Sequence, residues 1–204
     1  MKYKLYKNDF PATLKFKNIV GIDTETMGLN LNRDRLCLIQ VCSGDNIAHL
    51  LQLSKDSKEK PSNLIKLLQN KNITKIFHFG RFDLAMLQKN VCTVIGPIYC
   101  TKIASKLART FGAKHGLKDL CKDLLNIELD KFNQTSDWGA KRLSKDQLAY
   151  AAQDVLFLHK LKIQLDEILQ REGKMNLALE CFESLKTRVK LDLEGFQELD
   201  IFAH

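Results

Sequence analysis

The sequence predicts an α/β protein with a mixed five-stranded sheet flanked by helices and a C-terminal helical extension. Short apolar runs rich in β-branched residues alternate with segments of helical periodicity, which is the pattern of that class. Three strand patterns stand before the first clear helix, so the sheet is expected to be mixed and not wholly parallel. Hydrophobic residues make up 45% of the chain and charged residues 27%, which is ordinary for a domain that buries a core.

The expected strands are short and end at glycine or polar residues. They cover residues 18–22, 36–42, 46–53, 73–79 and 98–100. The tripeptide Ser43-Gly44-Asp45 between the second and third strands is a hairpin signal. We therefore expect these two strands to pair antiparallel.

Helical patterns fill much of the rest of the chain. They cover residues 62–69, 81–89, 102–110 and 117–125, before a polar and irregular stretch at 126–143. Ser144 and Gln147 form a capping-box signature, so one long helix is expected from Ser144 to about Glu172. We expect residues 1–172 to form the main domain and residues 173–204 to add a C-terminal helix and tail.

Charge and composition narrow the possible functions. The chain has 32 basic and 24 acidic residues, and this net charge of +8 favours a polyanionic partner such as nucleic acid. No apolar run approaches the roughly 18 residues of a membrane-spanning helix, and the first ten residues lack the apolar region of a signal peptide. A cytoplasmic location without membrane contact is expected. The six cysteines have no zinc-binding spacing, so reduced thiols are expected.

Two acids at the end of the first expected strand give the strongest chemical signal. Asp23 and Glu25 are separated by one residue, and positions i and i+2 of a strand share a face. Two carboxylates held close together repel each other unless a cation lies between them. The pair therefore indicates a divalent-metal site, with two solvated acids at a strand end as the alternative.

Two later segments also carry acids in chemically informative places. Asp83 follows the strand at 73–79 and stands in the first turn of the next helix, where an acid can simply complement the helix dipole. Tyr150 and Asp154 are four residues apart and share one helical face. A half-buried tyrosine and a surface acid are the alternative for that pair.

The order of these residues resembles a known pattern. D-x-E on a strand, H-x-G-x-x-D after a strand and Y-x-x-x-D on a helix are similar to the motifs of the DEDDy 3′–5′ exonucleases of the ribonuclease D-like superfamily, which have a ribonuclease H-like fold. Residues 23–29, 33–37, 75–83, 100–107 and 136–138 resemble the nano-RNase C family. That family comprises short bacterial relatives of ribonuclease D that degrade very short RNA, especially dinucleotides.

The resemblance implies two divalent metal ions, Mg²⁺ or Mn²⁺, about 4 Å apart. It assigns Asp23 to both ions, Glu25 and Asp154 to the ion beside the attacking water, and Asp83 to the second ion. Tyr150 would orient that water. The implied catalytic set is therefore Tyr150 together with the four acids, whose carboxylates are ligands that hard cations prefer.

Substrate contacts are expected from six further residues: Leu29, His78, Lys102, Ser105, Lys106 and Arg109. Leu29 stands where relatives place a leucine wedge between two bases, with a loop leucine folded into the core as the alternative. His78 could contact the substrate or be a satisfied histidine at a strand end. The other four lie near one helix start, where helical spacing places them on a broad face as donors for a 5′ phosphate. A solvated basic face is the alternative for them.

The expected activity is hydrolysis of dinucleotides and very short oligoribonucleotides to 5′-mononucleotides at the end of RNA decay. A general ribonuclease D-like exonuclease acting on longer RNA or on DNA is the first alternative, and a non-catalytic nucleic-acid-binding module is the second. Ribonuclease D carries extra helical domains that grip structured RNA. A chain of 204 residues leaves no room for them, which favours short substrates.

The C-terminal residues predict an assembly. An apolar stripe follows helical spacing at Ala178, Cys181, Phe182, Leu185 and Val189. Apolar residues continue at Leu191, Leu193, Phe196, Leu199, Ile201 and Phe202. An apolar end of this kind needs a covering surface, either on its own domain or on a neighbouring copy. The resemblance implies a ring-like homo-octamer.

Overall fold

The computed structural model describes residues 2–57, 59–111, 114–129 and 136–203. Within them the strands are β1 (Lys2–Lys7), β2 (Ile19–Thr26), β3 (Leu36–Cys42), β4 (Ile47–Gln52), β5 (Thr74–Phe77) and β6 (Ile98–Cys100). The helices are α1 (Ser62–Leu68), α2 (Gly80–Asn90), α3 (Thr101–Ala108), α4 (Leu117–Leu125), α5 (Lys145–Leu156), α6 (Leu158–Arg171) and α7 (Met175–Leu193). Residues 130–135 of the stretch expected to be irregular lie outside the described residues.

The strands form one mixed sheet in the order β1-β4-β3-β2-β5-β6, which confirms the expected α/β class. β3 pairs antiparallel with both β2 and β4, so the expected hairpin is also confirmed. The pairs β1–β4, β2–β5 and β5–β6 are parallel. β2 therefore has a hydrogen-bonded neighbour on each side, and its final residues carry the two acids of the D-x-E motif.

The sheet has one strand more than the five that were expected. β1 lies at the edge beside β4, and most of its side chains are exposed. Its sequence alternates lysine with other residues, and only Tyr3 and Tyr6 pack against the core. No apolar run marks this strand in the sequence. It forms because the edge of β4 offers unpaired backbone groups.

Helices cover both faces of β2. A Cβ atom at Gly21 would lie 3.0 Å from the carbonyl oxygen of Val155, so the end of α5 packs closely against that face. Thr24 contacts Asp83 of α2. Residues 21 and 24 point to opposite faces of a strand, so α5 and α2 lie on opposite sides. Both helices bring an acid towards the end of β2.

The long helix expected over residues 144–172 is two helices, α5 and α6, which meet at Phe157 (φ −104°, ψ −6°). The capping box is confirmed. Ser144 Oγ accepts a hydrogen bond from the backbone N–H of Gln147 at 3.1 Å, and Gln147 Oε1 accepts one from the backbone N–H of Ser144 at 2.9 Å. Neither glycine nor proline marks the break, and buried leucines flank it on both sides. Packing against the sheet therefore decides where α5 ends.

α7 buries its apolar stripe against its own chain. The buried residues of the stripe are Ala178, Phe182, Leu185 and Val189. The rings of Tyr99 and Phe182 are 4.6 Å apart, and buried Asp192 accepts hydrogen bonds from Arg81 of α2 and from Arg188. The apolar residues that follow α7 are exposed: Phe196, Leu199, Ile201 and Phe202. The expected division of the chain at residue 172 stays a prediction.

None of the described helices combines the length and the apolar character needed to cross a membrane. All six cysteines lie in the described part of the chain, and none of them is joined in a disulfide. Cys37, Cys42, Cys100 and Cys121 are buried. These thiols act as small hydrophobic side chains of the core.

Gly21→Ala is expected to destabilise the protein, because the added methyl group would press on the Val155 carbonyl oxygen and the Leu158 side chain, at 3.0 and 3.2 Å. Such overpacking costs about 1–3 kcal/mol, or roughly 2–12 °C in Tm for a chain of this size. Circular dichroism in EDTA measures the change. Gly139→Ala is the matched control, since its methyl group would meet only side-chain atoms that can move. A Gly21→Ala variant as stable as this control would contradict the close approach of α5.

Candidate active site

Three acids from two elements meet in one cavity. Asp23 and Glu25 lie near the end of β2, and Asp154 lies in the last turn of α5. One carboxylate oxygen from each residue can be chosen so that all three lie within 4.8 Å of one another. The two acids expected on one face of the strand are thus joined by a third from the helix that packs on it.

The cavity has a volume of about 490 Å³. Eight of the residues expected at the site line it: Asp23, Glu25, Leu29, His78, Asp83, Lys102, Tyr150 and Asp154. Other lining residues are Thr24, Thr26, Phe79, Phe82, residues 116–119, Leu129 and Gln153. Three expected substrate contacts, Ser105, Lys106 and Arg109, do not line this cavity.

Burial and mutual repulsion raise the pKa of each acid in the group of three. For Glu25, burial acts first and the charges of Asp154 and Asp83 add to it, which raises the pKa to about 9. Burial and then the charge of Asp83 raise the pKa of Asp154 to about 7. The pKa of Asp23 rises well above its usual range through burial and then the charges of its acidic neighbours. Such carboxylates ionise together only where positive charge compensates them.

This donor set fits divalent cations such as Mg²⁺ or Mn²⁺. Carboxylate oxygens are the ligands that these hard cations prefer, and a spacing of at most 4.8 Å is compatible with a shared ion. The three side chains are half-buried and line an open cavity, so water can complete a coordination shell. A cation held between these acids would compensate their negative charge, so all three would be ionised.

Asp83 lies in the same cavity but outside the group of three. It stands in the first turn of α2, as expected, and is 4% exposed. Thr24 Oγ1 donates a hydrogen bond of 2.6 Å to Asp83 Oδ1. Burial raises the pKa of Asp83 to about 7, and the hydrogen bond from Thr24 opposes this rise. Asp83 is therefore oriented by the central strand and not by the other acids.

Tyr150 lies one helical turn before Asp154 and packs beside Trp138, with 6.2 Å between the ring centroids. Burial and then the charges of Asp154, Glu25 and Asp23 raise the pKa of its hydroxyl. The phenol is therefore neutral at neutral pH. A neutral hydroxyl both donates and accepts hydrogen bonds, which suits the positioning of a water molecule.

His78 is a neutral imidazole at the cavity wall. Its Nδ1 lies 2.9 Å from Thr101 Oγ1, and the Thr101 hydroxyl donates to the carbonyl oxygen of Phe77. Because that hydroxyl has one proton, the hydrogen in the first contact must belong to Nδ1. Burial and then the charge of Lys102 lower the pKa of His78 to about 3. Nε2 is therefore left as a hydrogen-bond acceptor.

Leu29 and Lys102 lie where a substrate could meet them. Leu29 is 82% exposed, so the alternative of a loop leucine folded into the core does not hold. Lys102 Nζ lies 4.1 Å from the centroid of the Phe79 ring. Lys106, one turn further along α3, lines a neighbouring cavity instead. The structure thus brings Leu29 and Lys102 to the acids and leaves Lys106 outside.

Ser105 and Arg109 have partners elsewhere. Ser105 is fully buried, and its Oγ lies 2.8 Å from Nδ1 of His115. Arg109 follows the last residue of α3 and pairs with Asp123 at 2.5 Å. The four residues expected to hold a 5′ phosphate therefore do not converge on the cavity, and their shared role stays a prediction.

Sequence reasoning missed three residues beside the acids, namely Thr24, Gln40 and Phe79. Thr24 lies inside the D-x-E motif itself. Gln40 is a fully buried polar residue in the apolar strand β3, and its Nε2 lies 3.3 Å from Asp23 Oδ2. A glutamine in so apolar a strand was the available signal. Phe79 has a left-handed backbone (φ 63°), which no sequence signal indicates.

Comparison with known proteins defines the class. A protein-family model described as 3′-5′ exonuclease matches residues 7–170. Ribonuclease D of Bartonella henselae is 31% identical over 163 residues, which cover 80% of this chain and 39% of that protein. The chain spans about two fifths of the length of the curated relatives it matches. The matched residues thus form a 3′–5′ exonuclease domain.

Solved structures match the chain along its full length. Brucella melitensis NrnC with bound Mg²⁺ is 49% identical with a TM-score of 0.94, and the match covers 100% of both chains. Brucella melitensis NrnC bound to pGG is 50% identical with a TM-score of 0.95, covering 100% of this chain and 99% of that one. The chain belongs to the 3′–5′ exonuclease family, on the ribonuclease D-like branch that includes NrnC.

The raised pKa values predict that the metal-free protein loses stability as pH rises. A carboxyl group with a raised pKa binds its proton more tightly in the folded state. Its contribution to stability is therefore lost between the unfolded pKa of about 4 and the folded pKa. That folded pKa is about 7 for Asp83 and Asp154 and about 9 for Glu25. In EDTA, we expect Tm to fall between about pH 5 and pH 8, where Asp83 and Asp154 and then Glu25 lose their protons in the folded state.

Asp154→Asn is the matched control for this measurement. It removes one repelling charge with little change in shape, so its Tm should vary less over the same range. Groups outside the cluster with lowered pKa values, such as Lys75, affect both proteins alike. Saturating Mg²⁺ should flatten the wild-type curve because it compensates the charges. A wild-type Tm in EDTA that stays constant or rises with pH would contradict the repulsion between the acids.

Proposed function

We propose that this protein is a metal-dependent 3′–5′ exoribonuclease of the cytoplasm. It would hydrolyse dinucleotides and very short oligoribonucleotides to 5′-mononucleotides at the end of RNA decay. The observation that carries the proposal is the group of three acids within 4.8 Å, in one cavity with Asp83 and Tyr150. Family membership supports the 3′–5′ direction, and the net charge of +8 suits an anionic substrate.

Four acids would hold two divalent ions, Mg²⁺ or Mn²⁺. Asp23, Glu25 and Asp154 offer one set of ligands, and Asp83 offers a ligand for the second ion. Ions of this kind lower the pKa of bound water and stabilise negative charge on phosphoryl oxygens. NrnC of Brucella melitensis, solved with bound Mg²⁺, supports this assignment.

The chain's own groups would hold the substrate around these acids. Tyr150 positions the attacking water through its neutral hydroxyl. His78 accepts a hydrogen bond from a sugar hydroxyl through Nε2. Lys102 offers positive charge to a phosphate, and Leu29 presents apolar surface to a base. Each of these residues lines the cavity that contains the acids.

Short substrates are favoured by the size of the cavity. Its volume of about 490 Å³ lies in the range of pockets that enclose small molecules. NrnC of Brucella melitensis, 50% identical, has been solved bound to pGG. A ligand of that size is therefore the substrate class that we assign to this chain.

Single-turnover hydrolysis with Mn²⁺ tests the proposed function on pGG, a seven-nucleotide RNA and a DNA oligomer. Faster cleavage of pGG, by at least about tenfold, is expected. Removal of its 5′ phosphate should slow cleavage because Lys102, which lines the cavity, would lose an anionic partner. Comparable rates on the longer strands would favour a general ribonuclease D-like exonuclease. Absence of hydrolysis by a protein that binds Mn²⁺ and pGG would favour a non-catalytic binding module.

Asp23→Ala and Asp154→Asn are expected to abolish hydrolysis of pGG while circular dichroism stays unchanged, because each removes a metal ligand and no apolar packing. Asp119→Asn is the matched control. Asp119 lines the same cavity but lies outside the group of three acids. Hydrolysis that survives both substitutions, or that persists in EDTA, would contradict a metal-dependent mechanism.

Tyr150→Phe keeps the ring and deletes the hydroxyl. Turnover is expected to fall by about 10²-fold or more, the scale of a group that positions a proton transfer, with KM for pGG nearly unchanged. Tyr3→Phe is the matched control, since Tyr3 lies on the edge strand β1. Full turnover in the Tyr150→Phe variant would exclude the water-positioning role.

We further propose that copies of the chain assemble, as the ring-like homo-octamer that the sequence resemblance implies. The apolar residues after α7 support this, since Phe202 is 82% exposed and Leu199 is 56% exposed. Exposed apolar residues clustered in one segment are expected to be covered by another surface. Four residues of the stripe on α7 are already buried by their own chain, whereas these later residues are free to contact a neighbour.

Light scattering of the full-length protein at micromolar concentration measures the assembly. An octamer is expected. Replacement of Phe196, Leu199, Ile201 and Phe202 by serine should lower the assembly state. Phe111→Ser is the matched control because Phe111 is 98% exposed but lies outside this segment. A monomeric full-length protein would rule the assembly out.

A further inference from the structure

We propose that Thr24 and Gln40 are positioning residues whose neutral side chains hold the carboxylates of Asp83 and Asp23 in the orientation that binds metal ions. This role rests on the proposed function, since it concerns the same acids. Each of the two acids receives one hydrogen bond from a side chain on the central strands β2 and β3. Metal affinity should therefore depend on both donors.

Thr24 stands between the two acids of the D-x-E motif but points to the opposite face of β2. There its Oγ1 donates to Asp83 Oδ1 at 2.6 Å, and the two residues are only 7% and 4% exposed. The hydroxyl has a single proton, and this contact uses it. A hydrogen bond to an ionised carboxylate is stronger than one between neutral groups. This hydrogen bond therefore ties the Asp83 carboxylate to the strand that carries two of the other acids.

Gln40 lies directly opposite Asp23 in the ladder between β2 and β3. It is fully buried, and its Nε2 donates to Asp23 Oδ2 at 3.3 Å. Its Oε1 is also buried and has no hydrogen-bond partner in the described part of the chain. Burial of a half-satisfied amide costs stability. An apolar residue would serve folding better at this position, so the glutamine serves the acid.

Both donors are uncharged, which suits a site that must bind cations. A lysine or arginine at either position would pair with the carboxylate and reduce the negative charge left for a metal ion. None of the ion pairs in the described ranges involves any of the four acids. Threonine and glutamine orient a carboxylate without compensating its charge. In other metalloproteins, loss of a hydrogen bond that supports a metal ligand weakens metal binding about 10–100-fold.

Thr24→Val tests the first donor, because valine keeps the shape and loses the hydroxyl. Mn²⁺ binding to the full-length protein is measured by titration calorimetry and by the paramagnetic resonance signal of free Mn²⁺, neither of which requires turnover. Thr24→Val is expected to weaken Mn²⁺ binding about 10–100-fold. Thr24→Ser, which keeps the hydroxyl, should restore affinity to within a few-fold of the wild type.

Gln40→Met tests the second donor, because methionine has nearly the same length and cannot donate. It is expected to weaken Mn²⁺ binding in the same range. Gln52→Met is the matched control, since Gln52 is 7% exposed on β4 and its Nε2 donates to the carbonyl oxygen of Ala140. Loss of that buried glutamine should leave Mn²⁺ affinity unchanged. A purely structural effect would move both variants alike and would overturn the role of Gln40.

Folding of each variant is checked by circular dichroism in EDTA, and Thr24→Ala replaces Thr24→Val if valine prevents folding. Wild-type affinity in the Thr24 and Gln40 variants, beside a wild type that binds Mn²⁺ and hydrolyses pGG, would overturn the positioning roles and leave the proposed function standing. Weakened Mn²⁺ binding in the variants of a protein that hydrolyses nothing would support the positioning roles and overturn the proposed function. A wild type that binds no Mn²⁺ would overturn both.

Discussion

Repulsion between crowded, half-buried carboxylates at the end of β2 is the constraint on which the site depends. Burial and neighbouring charge raise the pKa of Glu25 to about 9 and that of Asp154 to about 7. The folded protein holds these groups together only because the surrounding sheet and helices supply the stability that the repulsion removes. A bound cation would reverse the sign of this interaction, since it favours the ionised forms. The same acids, which destabilise the metal-free protein, would then stabilise the folded state through their bonds to the cation.

Close packing around β2 makes that arrangement possible. β2 pairs with β5 over residues 19–21 and with β3 over residues 21–26, so the antiparallel ladder with β3 holds the end that carries the acids. Gly21 leaves room for the carbonyl of Val155, and the small residues Ala151 and Ala152 are fully buried on α5. The helix therefore lies close enough to bring Asp154 beside the strand. On the opposite face, Thr24 reaches the acid of α2.

Two other titratable groups near the acids are neutral. The pKa of His78 is lowered and that of Tyr150 is raised, so both are neutral beside the acids. Basic side chains elsewhere have partners of their own, as in the ion pair of Arg109 with Asp123 and that of Arg81 with Asp192. The net charge of +8 therefore does not compensate the acids directly. It can attract an anionic substrate while the site keeps its affinity for cations.

The sequence by itself determined the features that depend on local periodicity. Alternation along a strand predicts that Asp23 and Glu25 share a face, a spacing of four predicts that Tyr150 and Asp154 do, and the capping box and hairpin follow from short motifs. Tertiary structure alone decided that β1 joins the edge of the sheet and that Asp154 approaches the end of β2. It also decided the break between α5 and α6 at Phe157 and the burial of Ser105 away from the cavity. The direction in which a side chain points along a strand or helix follows from the residue repeat of that element, so it can be read from the spacing of residues in the sequence. Whether two segments meet at the site depends on packing between residues far apart in the chain. The spacing of residues within one segment carries no information about that packing.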